Sequence, residues 1–447
     1  MTLSLDPAWL AEAAAALREA NLAFARRHPG EGAGRQPVHT VYGGAQLFAS
    51  DAIPKLGGLA LQSLDRYALT PDELGAALGI SDHPALATIH QRVREKLVRE
   101  PIEDYRIDFE DGYGNRPDAE EDRDAAAVAA AVAQGRHDRT LAPFIGIRVK
   151  PLNEELRGRS VRTLDLMLTA LARAESLPEQ WMVTVPKITV IEQVAYFVTL
   201  LGALERKLAL AQGTLRFEVM VETPQLVLDP RGTSLLPRLL EVSDGRLSGA
   251  HFGTYDYTAG VNITAAYQRM RHPACDFAKQ VMQVAFAGTG VWLSDGSTTV
   301  MPVPIHREVT GGAPLSAEQL AANRQSVHGA WKLHFDDVRH SLAGGFYQGW
   351  DLHPAQLVSR YAALYSFFLE GIDAAGARLK NFVSKAAQAT LVGDVFDDAA
   401  TGQGLLNFFL RGINSGAISE AEALEMTGLS ADELRGRSFV AIMRKHA

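Results

Sequence analysis

The sequence predicts an α/β protein, a (β/α)8 barrel with helical insertions and a helical C-terminal extension. Three observations carry this. Eight short runs rich in β-branched and aromatic residues alternate with long Ala- and Leu-rich stretches of helical spacing. From the second run to the sixth the starts lie 39, 37, 35 and 33 residues apart, room for one strand, one helix and their turns. No sequence repeat accompanies the period, which argues against a solenoid. The rival doubly wound sheet would favour a Gly-rich dinucleotide turn after an early strand, and none is present.

The elements follow in order. Segment 1–39 contains "DPAWLAEAAAALREANLAFARR", where Ala and Leu at helical spacing mix with charges. It lacks the basic start, apolar centre and cleavage site of a signal peptide, so an amphipathic helix is expected. The first strand is "TVYGGAQLFA" from Thr40. A helical insertion at about 60–100 follows, in which Thr70 caps a helix, Pro71 opens it and Glu73 completes a capping box. The next strands are "YRIDFED" from Tyr105, "FIGIRVK" from Phe144, "WMVTVPKI" from Trp181 and "RFEVMVET" from Arg216. "GAHFGTYD" from Gly249, "GVWLSDG" from Gly290 and "GWDLHPA" from Gly349 complete a barrel over 40–380. Segment 381–447 reads as helical, with capping boxes at Ser419/Glu422 and Ser430/Glu433. The insertion and the tail superficially resemble helix-turn-helix units, but neither second helix carries a basic face for reading bases. Helical decoration or a subunit contact, in a homo-oligomer, is the expectation.

Composition narrows the function classes. The 447 residues are 47% hydrophobic and 21% charged, as in ordinary globular proteins. A net charge of −8 gives no electrostatic reason to expect nucleic acid or an anionic membrane. The single cysteine, Cys275, excludes an intrachain disulfide and a multi-cysteine zinc site. No apolar run approaches the roughly 20 residues of a membrane span. A soluble, cytoplasmic protein is expected.

Strand parity sorts the side chains into two faces. Ile107 and Phe109 oppose Arg106, Asp108 and Glu110; Ile145, Ile147 and Val149 oppose Gly146, Arg148 and Lys150. Phe217, Val219 and Val221 oppose Glu218, Met220 and Glu222, while Trp350 and Leu352 oppose Asp351 and His353. A parallel strand buried on both faces should be apolar on both. The charged face is therefore assigned to the barrel interior, near the mouth where such barrels keep their active sites.

The strand ends then supply the acids Asp108, Glu110, Asp111, Glu222 and Asp256, the cations Arg148 and Lys187, and His353. Oxygen ligands without cysteine or a histidine pair suit Mg2+ or Mn2+ better than zinc. Glu222 and Asp256 are the expected ligands, with Glu110 and Asp111 holding metal-bound water. The bland alternatives are a helix N-cap for Asp256 and a salt bridge to Arg148 for Glu222. The Arg148 fork suits a carboxylate or an enolate oxygen, or else serves as a structural partner for the acids. Lys187 shares the parity of Val183 and Val185, so it is a secondary substrate contact beside Asp108 and His353. His334 and His340, six apart, read as a helix surface.

"IDFEDGYGNRPDAEEDRDAA", "GIRVKPL", "TVPKI", "VMVETPQ", "FGTYDYTAGV" and "GGFYQGWDLHPAQL" follow one another across roughly residues 40–360. In that order they resemble the citrate lyase β-subunit-like proteins of the HpcH/HpaI aldolase and malate synthase superfamily. The resemblance implies a (β/α)8 barrel, Mg2+ on Glu222 and Asp256, Arg148 at the substrate's carboxylate or carbonyl, and Glu110 and Asp111 near the metal's waters. It also implies cleavage or formation of a bond beside a ketoacid or a coenzyme A thioester. The expected activity is a carbon–carbon lyase or aldolase on a small carboxylate or acyl-coenzyme A. A malate-synthase-like condensing enzyme or thioesterase is the alternative, with Asp351 as its extra acid or base, and a non-catalytic lyase subunit is another. Lys150, the Tyr-Thr-Ala-Gly after Asp256, the insertion, the "REVTGGAPLSAEQ" stretch and the tail depart from the family pattern.

Overall fold

In the computed structural model, residues 4–30, 34–308, 313–384, 390–392, 395–397 and 399–446 are described. The centre of the "REVTGGAPLSAEQ" stretch lies outside them. Eight parallel strands close in chain order into the barrel expected from the sequence. They are β1 (His39–Gly44), β2 (Asp104–Asp108), β3 (Phe144–Arg148), β4 (Trp181–Val185), β5 (Arg216–Val221), β6 (Leu247–Phe252), β7 (Trp292–Ser297) and β8 (Gln348–Asp351). Each anticipated run supplies one strand.

Helices α1 (Pro7–Ala13) and α2 (Ala15–Arg27) precede the barrel, where one helix is expected. The insertion forms α3 (Ala52–Tyr67), α4 (Pro71–Leu78) and α5 (Leu86–Arg99). Thr70 and Glu73 make the anticipated capping box, and Gly79 ends α4 in the left-handed region. Then come α6 (Asp118–Asp138), α7 (Arg157–Arg173), α8 (Ile191–Lys207), α9 (Pro224–Val227) and α10 (Leu236–Val242). After β6 lie α11 (Thr254–Gly260) and α12 (Pro273–Phe286), then α13 (Ala317–Ala343) before β8 and α14 (Gln356–Leu369) after it. Helix α15 (Ile372–Ser384) runs across the expected boundary at 380/381, and the tail beyond it holds α16 (Ala399–Asn414), α17 (Glu420–Thr427), α18 (Ala431–Gly436) and α19 (Phe439–His446). An antiparallel pair, β9 (Thr390–Val392) and β10 (Val395–Asp397), interrupts this expected all-helical tail. No helix among the described residues is long and apolar enough to cross a membrane.

Ile107, Ile147, Val183, Phe217, Val219 and Phe252 are fully buried in the hydrophobic core around the barrel. The interior is where this barrel departs from the usual layers of branched apolar side chains. Arg106 donates to Glu218 through Nε at 2.9 Å and Nη2 at 3.0 Å, and also bonds to Asp104. His251 Nε2 stands 3.0 Å from Glu218, and the Thr184 hydroxyl donates to Glu218 at 2.5 Å. Thr40 donates to Asp104 at 2.8 Å and accepts from Gln348 at 3.0 Å. Burial pushes the Glu218 carboxyl up, but Arg106 and then His251 outweigh it and hold it well below its ordinary value.

Strand β8 reverses the expected sorting. Trp350 turns inward, its indole N–H 3.2 Å from His251 Nδ1, and Asp351 turns out toward the helices. There Asp351 is wholly buried, with Arg360 of α14 at 3.0 Å, His39 at 2.7 Å and His334 of α13 at 3.0 Å. This removes Asp351 as an acid or base at the mouth. It also corrects His334, which is buried between α13 and the sheet; His340 instead pairs with Asp276. A register shift between Ser294 and Ser297, where β7 meets β8, accompanies the change of parity.

Burial pushes Asp351 up, yet Arg360 and the two histidines outweigh it and hold it well below its ordinary 3.8. Its folded-state value lies below the unfolded one, so its contribution is complete above that ordinary value and fades as pH falls beneath it. Asp351→Ala leaves Arg360 buried and unpaired and is expected to destabilise the fold by about 3–5 kcal/mol at neutral pH. Urea denaturation at pH 7 checks this, and the deficit should shrink in denaturation below pH 4.

Candidate active site

Most of the charged groups expected at the mouth do meet there. Asp108 ends β2 and faces Arg148 at the end of β3, its register partner. Arg148 donates from Nε to Asp108 Oδ1 at 2.7 Å and from Nη2 to Oδ2 at 2.6 Å, a bidentate fork. The same oxygens accept the backbone N–H groups of Glu110 at 3.0 Å and Gly112 at 2.7 Å. Asp108, expected among the substrate contacts, thus holds Arg148 and the loop after β2, with two bonds on each oxygen. Arg148 Nη1 lies 3.1 Å from Glu110 Oε2, and its guanidinium carbon stands 4.9 Å from the Tyr42 ring centroid and 5.8 Å from that of Trp350. One N–H of Nη1 and one of Nη2 remain for a ligand.

Glu110 is buried, and burial raises its pKa above the ordinary value. Asp111 beside it is exposed. Burial pushes the Asp111 carboxyl up, but the Lys187 ammonium outweighs this and holds it below its usual value. Lys187 bonds to Glu110, stands 3.1 Å from Asp111 Oδ2, and reaches within 3.8 Å of Asp256 Oδ1. Strand parity points this side chain away from the mouth; the structure turns it in. Lys187 adopts φ +51°, a left-handed conformation uncommon outside glycine, which redirects the chain at the end of β4. Burial lowers its pKa, but Glu110 and the other acids outweigh that and keep the ammonium protonated, so it is no Schiff-base nucleophile at neutral pH.

Glu222, just past β5, is 2% exposed and accepts the Lys187 backbone N–H at 2.7 Å. Burial, then the charge of Asp256, pushes its carboxyl up to about 8. Its side chain packs on Gly253, where any Cβ would come within 2.5 Å of the Glu222 Cβ and 2.6 Å of Oε2. Asp256 lies in the first turn of α11, whose N-cap is Gly253, so it is not the cap. Arg148 bonds to Asp108 and Glu110, and the alternative of a Glu222 salt bridge to it is not formed among the described residues.

A cavity of about 370 Å3 opens here, lined by Tyr42, Arg148, Glu222, Tyr255, Asp256 and Trp350 among others. His353 lies outside its lining and accepts the Ala355 N–H at 3.1 Å, at the turn into α14. Lys150 is likewise drawn away, to the Phe109 carbonyl at 2.6 Å and Glu121 at 2.8 Å. Tyr42 and Trp350 were not singled out from the sequence. The parity of β1 points to Tyr42, since it shares a face with Thr40; Trp350 is hidden by the reversal in β8. A larger cavity, about 720 Å3, is lined by Arg35, Lys96 and residues of the C-terminal tail, and Arg35 and Lys96 there already pair with Glu100 and Glu103.

Whether the mouth suits a hard divalent cation is tested by its donors. Among the described residues the five acids Asp108, Glu110, Asp111, Glu222 and Asp256 face two cations, Arg148 and Lys187, an excess of acidic groups. The buried Thr254 hydroxyl, on the cavity wall, has no hydrogen-bond partner among the described residues. No group of three His, Cys, Asp or Glu side chains among the described residues is arranged to hold a metal. Mg2+ commonly takes one or two carboxylates and completes its shell with water or substrate, which Glu222 and Asp256 satisfy. The residues fit.

Residues 17–442 match the family described as a domain of unknown function, DUF6986. No curated protein matches the sequence. A citrate lyase from Burkholderia xenovorans LB400 shares the fold with a TM-score of 0.55 at 19% identity, over 76% of this chain and 92% of that one. The Haloferax volcanii malate synthase magnesium/glyoxylate complex gives a TM-score of 0.48 at 13% identity, over 92% and 97%. An HpcH/HpaI aldolase/citrate lyase family protein from Burkholderia cenocepacia J2315 gives 0.38 at 14%, over 80% and 98%.

With chelator present, the raised Glu222 value has a testable sign. Folded protein keeps the proton between the ordinary 4.5 and about 8 while unfolded chain releases it, so stability falls as pH rises through that window. Glu222→Gln should flatten this slope, read from urea midpoints between pH 5 and 9. An unchanged slope would remove Glu222 as its source.

Proposed function

The chain belongs to the DUF6986 family, and for this member we propose a carbon–carbon lyase or aldolase acting on a small ketoacid, hydroxy acid or acyl-coenzyme A thioester. The observation that carries the proposal is the meeting of Arg148 with an excess of carboxylates at the C-terminal mouth of a (β/α)8 barrel. That end is where barrels of this kind carry out chemistry. The shared fold with a citrate lyase is consistent with it.

In the cleavage direction negative charge develops on the carbonyl oxygen beside the breaking bond. Arg148 turns its two free N–H groups to that oxygen or to a neighbouring carboxylate, and Asp108 holds the fork rigid so that little reorganisation is needed. Tyr42 and Trp350 pack on the guanidinium and keep bulk water from it. Glu222 and Asp256 would hold Mg2+ or Mn2+, which supplies a Lewis-acid charge at the same oxygen when bound. Glu110 and Asp111 would order the waters around that charge.

The condensing and thioesterase readings lose their extra acid or base with Asp351 placed among the helices. Deuterium exchange from solvent separates the substrate classes: uptake into pyruvate marks a ketoacid enzyme, uptake into acetyl-coenzyme A a thioester enzyme. Arg148→Lys keeps the charge but loses the fork, and exchange should fall by about 100-fold or more. Glu222→Gln and Asp256→Asn should each abolish Mn2+ binding measured by electron paramagnetic resonance. Wild-type protein that binds neither Mg2+ nor Mn2+ and exchanges neither compound would leave a non-catalytic barrel.

A further inference from the structure

Lys187 touches every acid proposed to act around the cation. Its backbone N–H is 2.7 Å from Glu222 Oε1, and its ammonium bonds to Glu110 and lies 3.1 Å from Asp111 and 3.8 Å from Asp256. The residue holds a left-handed backbone, φ +51°, which disfavours a non-glycine residue by about 1 kcal/mol or more. That strained turn places both its N–H and its side chain on the acids. The ammonium is the only lysine or arginine group among the described residues whose recorded ion pairs include Asp111 or Asp256. Its side chain is 29% exposed, so its four-carbon stem has solvent to swing into.

We infer that Lys187 is the built-in counter-cation of the mouth, and that a divalent cation binding Glu222 and Asp256 must displace its ammonium. The inference rests on the proposed cation site and adds its regulation. Without metal, the ammonium offsets charge on Glu110, Asp111 and Asp256 while the Lys187 N–H holds Glu222, and the four acids stay together. With metal, two positive centres a few Å apart repel strongly in a partly buried site, so the lysine stem turns outward while its N–H stays on Glu222. The freed ammonium then lies at the cavity rim, suited to an anionic substrate group. Metal affinity is accordingly held down by a competitor within the chain, and loading becomes sensitive to anions that draw the ammonium away.

The test is Mn2+ titration of the full-length chain by calorimetry, with wild type, Lys187→Met and Lys187→Arg, and Lys187→Gln as a second neutral variant should the Met variant not fold. The neutral variants should bind Mn2+ at least about tenfold more tightly, since 1.4 kcal/mol of relieved repulsion is tenfold in affinity. Lys187→Arg should stay near wild type. Metal-free neutral variants should melt below wild type and gain more on adding Mn2+. In wild type, acylation of the Lys187 amine by an amine-reactive ester, followed by mass spectrometry, should rise when Mn2+ is added. Wild type that binds Mn2+ while the neutral variants bind it equally or more weakly overturns the role of Lys187 alone. Failure of wild type and every variant to bind Mn2+ overturns the cation site and this inference together.

Discussion

The mouth is organised around one buried ion pair, the two-pronged bond between Arg148 and Asp108. Burying two charges is costly by several kcal/mol per ion unless each finds several partners, and here both do. The lone pairs that Asp108 has left accept backbone N–H groups of Glu110 and Gly112, so the pair dictates the course of the loop after β2. That loop presents Glu110, Glu110 holds the Lys187 ammonium, and the Lys187 N–H holds Glu222. The groups on β2, β3, β4 and β5 are thereby set by a single relay of hydrogen bonds. Loss of one member disturbs the positions of all that follow.

Beneath this layer the barrel is filled by polar groups in place of branched aliphatics. Asp104, Arg106, Thr184, Glu218 and His251 satisfy one another, and Gln348 and Thr40 continue the chain toward the opposite end. Gln348 in turn accepts from Gln36, which bonds to Asn414 and Arg411 of α16. Such an interior adds little net stability compared with an apolar one of equal volume. It penalises mispairing instead, because a slipped strand would leave charges without partners. The indole of Trp350 rests on this layer through His251, so the floor of the cavity is anchored to it.

Much of this was legible in the chain itself. Eight β-rich runs marked all eight strands, five of them at a regular period, and alternation sorted β2, β3 and β5 because one side of each is uniformly apolar. The same rule failed on β8. With only four residues and a register shift at its neighbour, Asp351 and Trp350 exchanged the sides that polarity suggests. Asp351 could face the helices because Arg360, His39 and His334 wait for it there, partners far away in sequence that no local pattern reveals. The direction of Lys187, a residue the sequence did single out, was hidden for another reason. A positive φ at a lysine leaves no signature in composition, and it reversed the direction that parity assigns. His353 looked functional because it sits at a strand end; it caps a turn.

The close packing of Gly253 on Glu222 couples two positions from different strands into one unit. The backbone of Gly253, with φ −97° and ψ 89°, would itself accept other residues, so the restriction comes from the neighbouring glutamate, its Cβ as much as its carboxyl. Shortening the acid at 222 to aspartate withdraws the carboxyl but leaves the Cβ in place, so 253 stays closed to a side chain. Over evolutionary drift position 253 is therefore held to glycine for as long as 222 carries a side chain, whichever acid stands there.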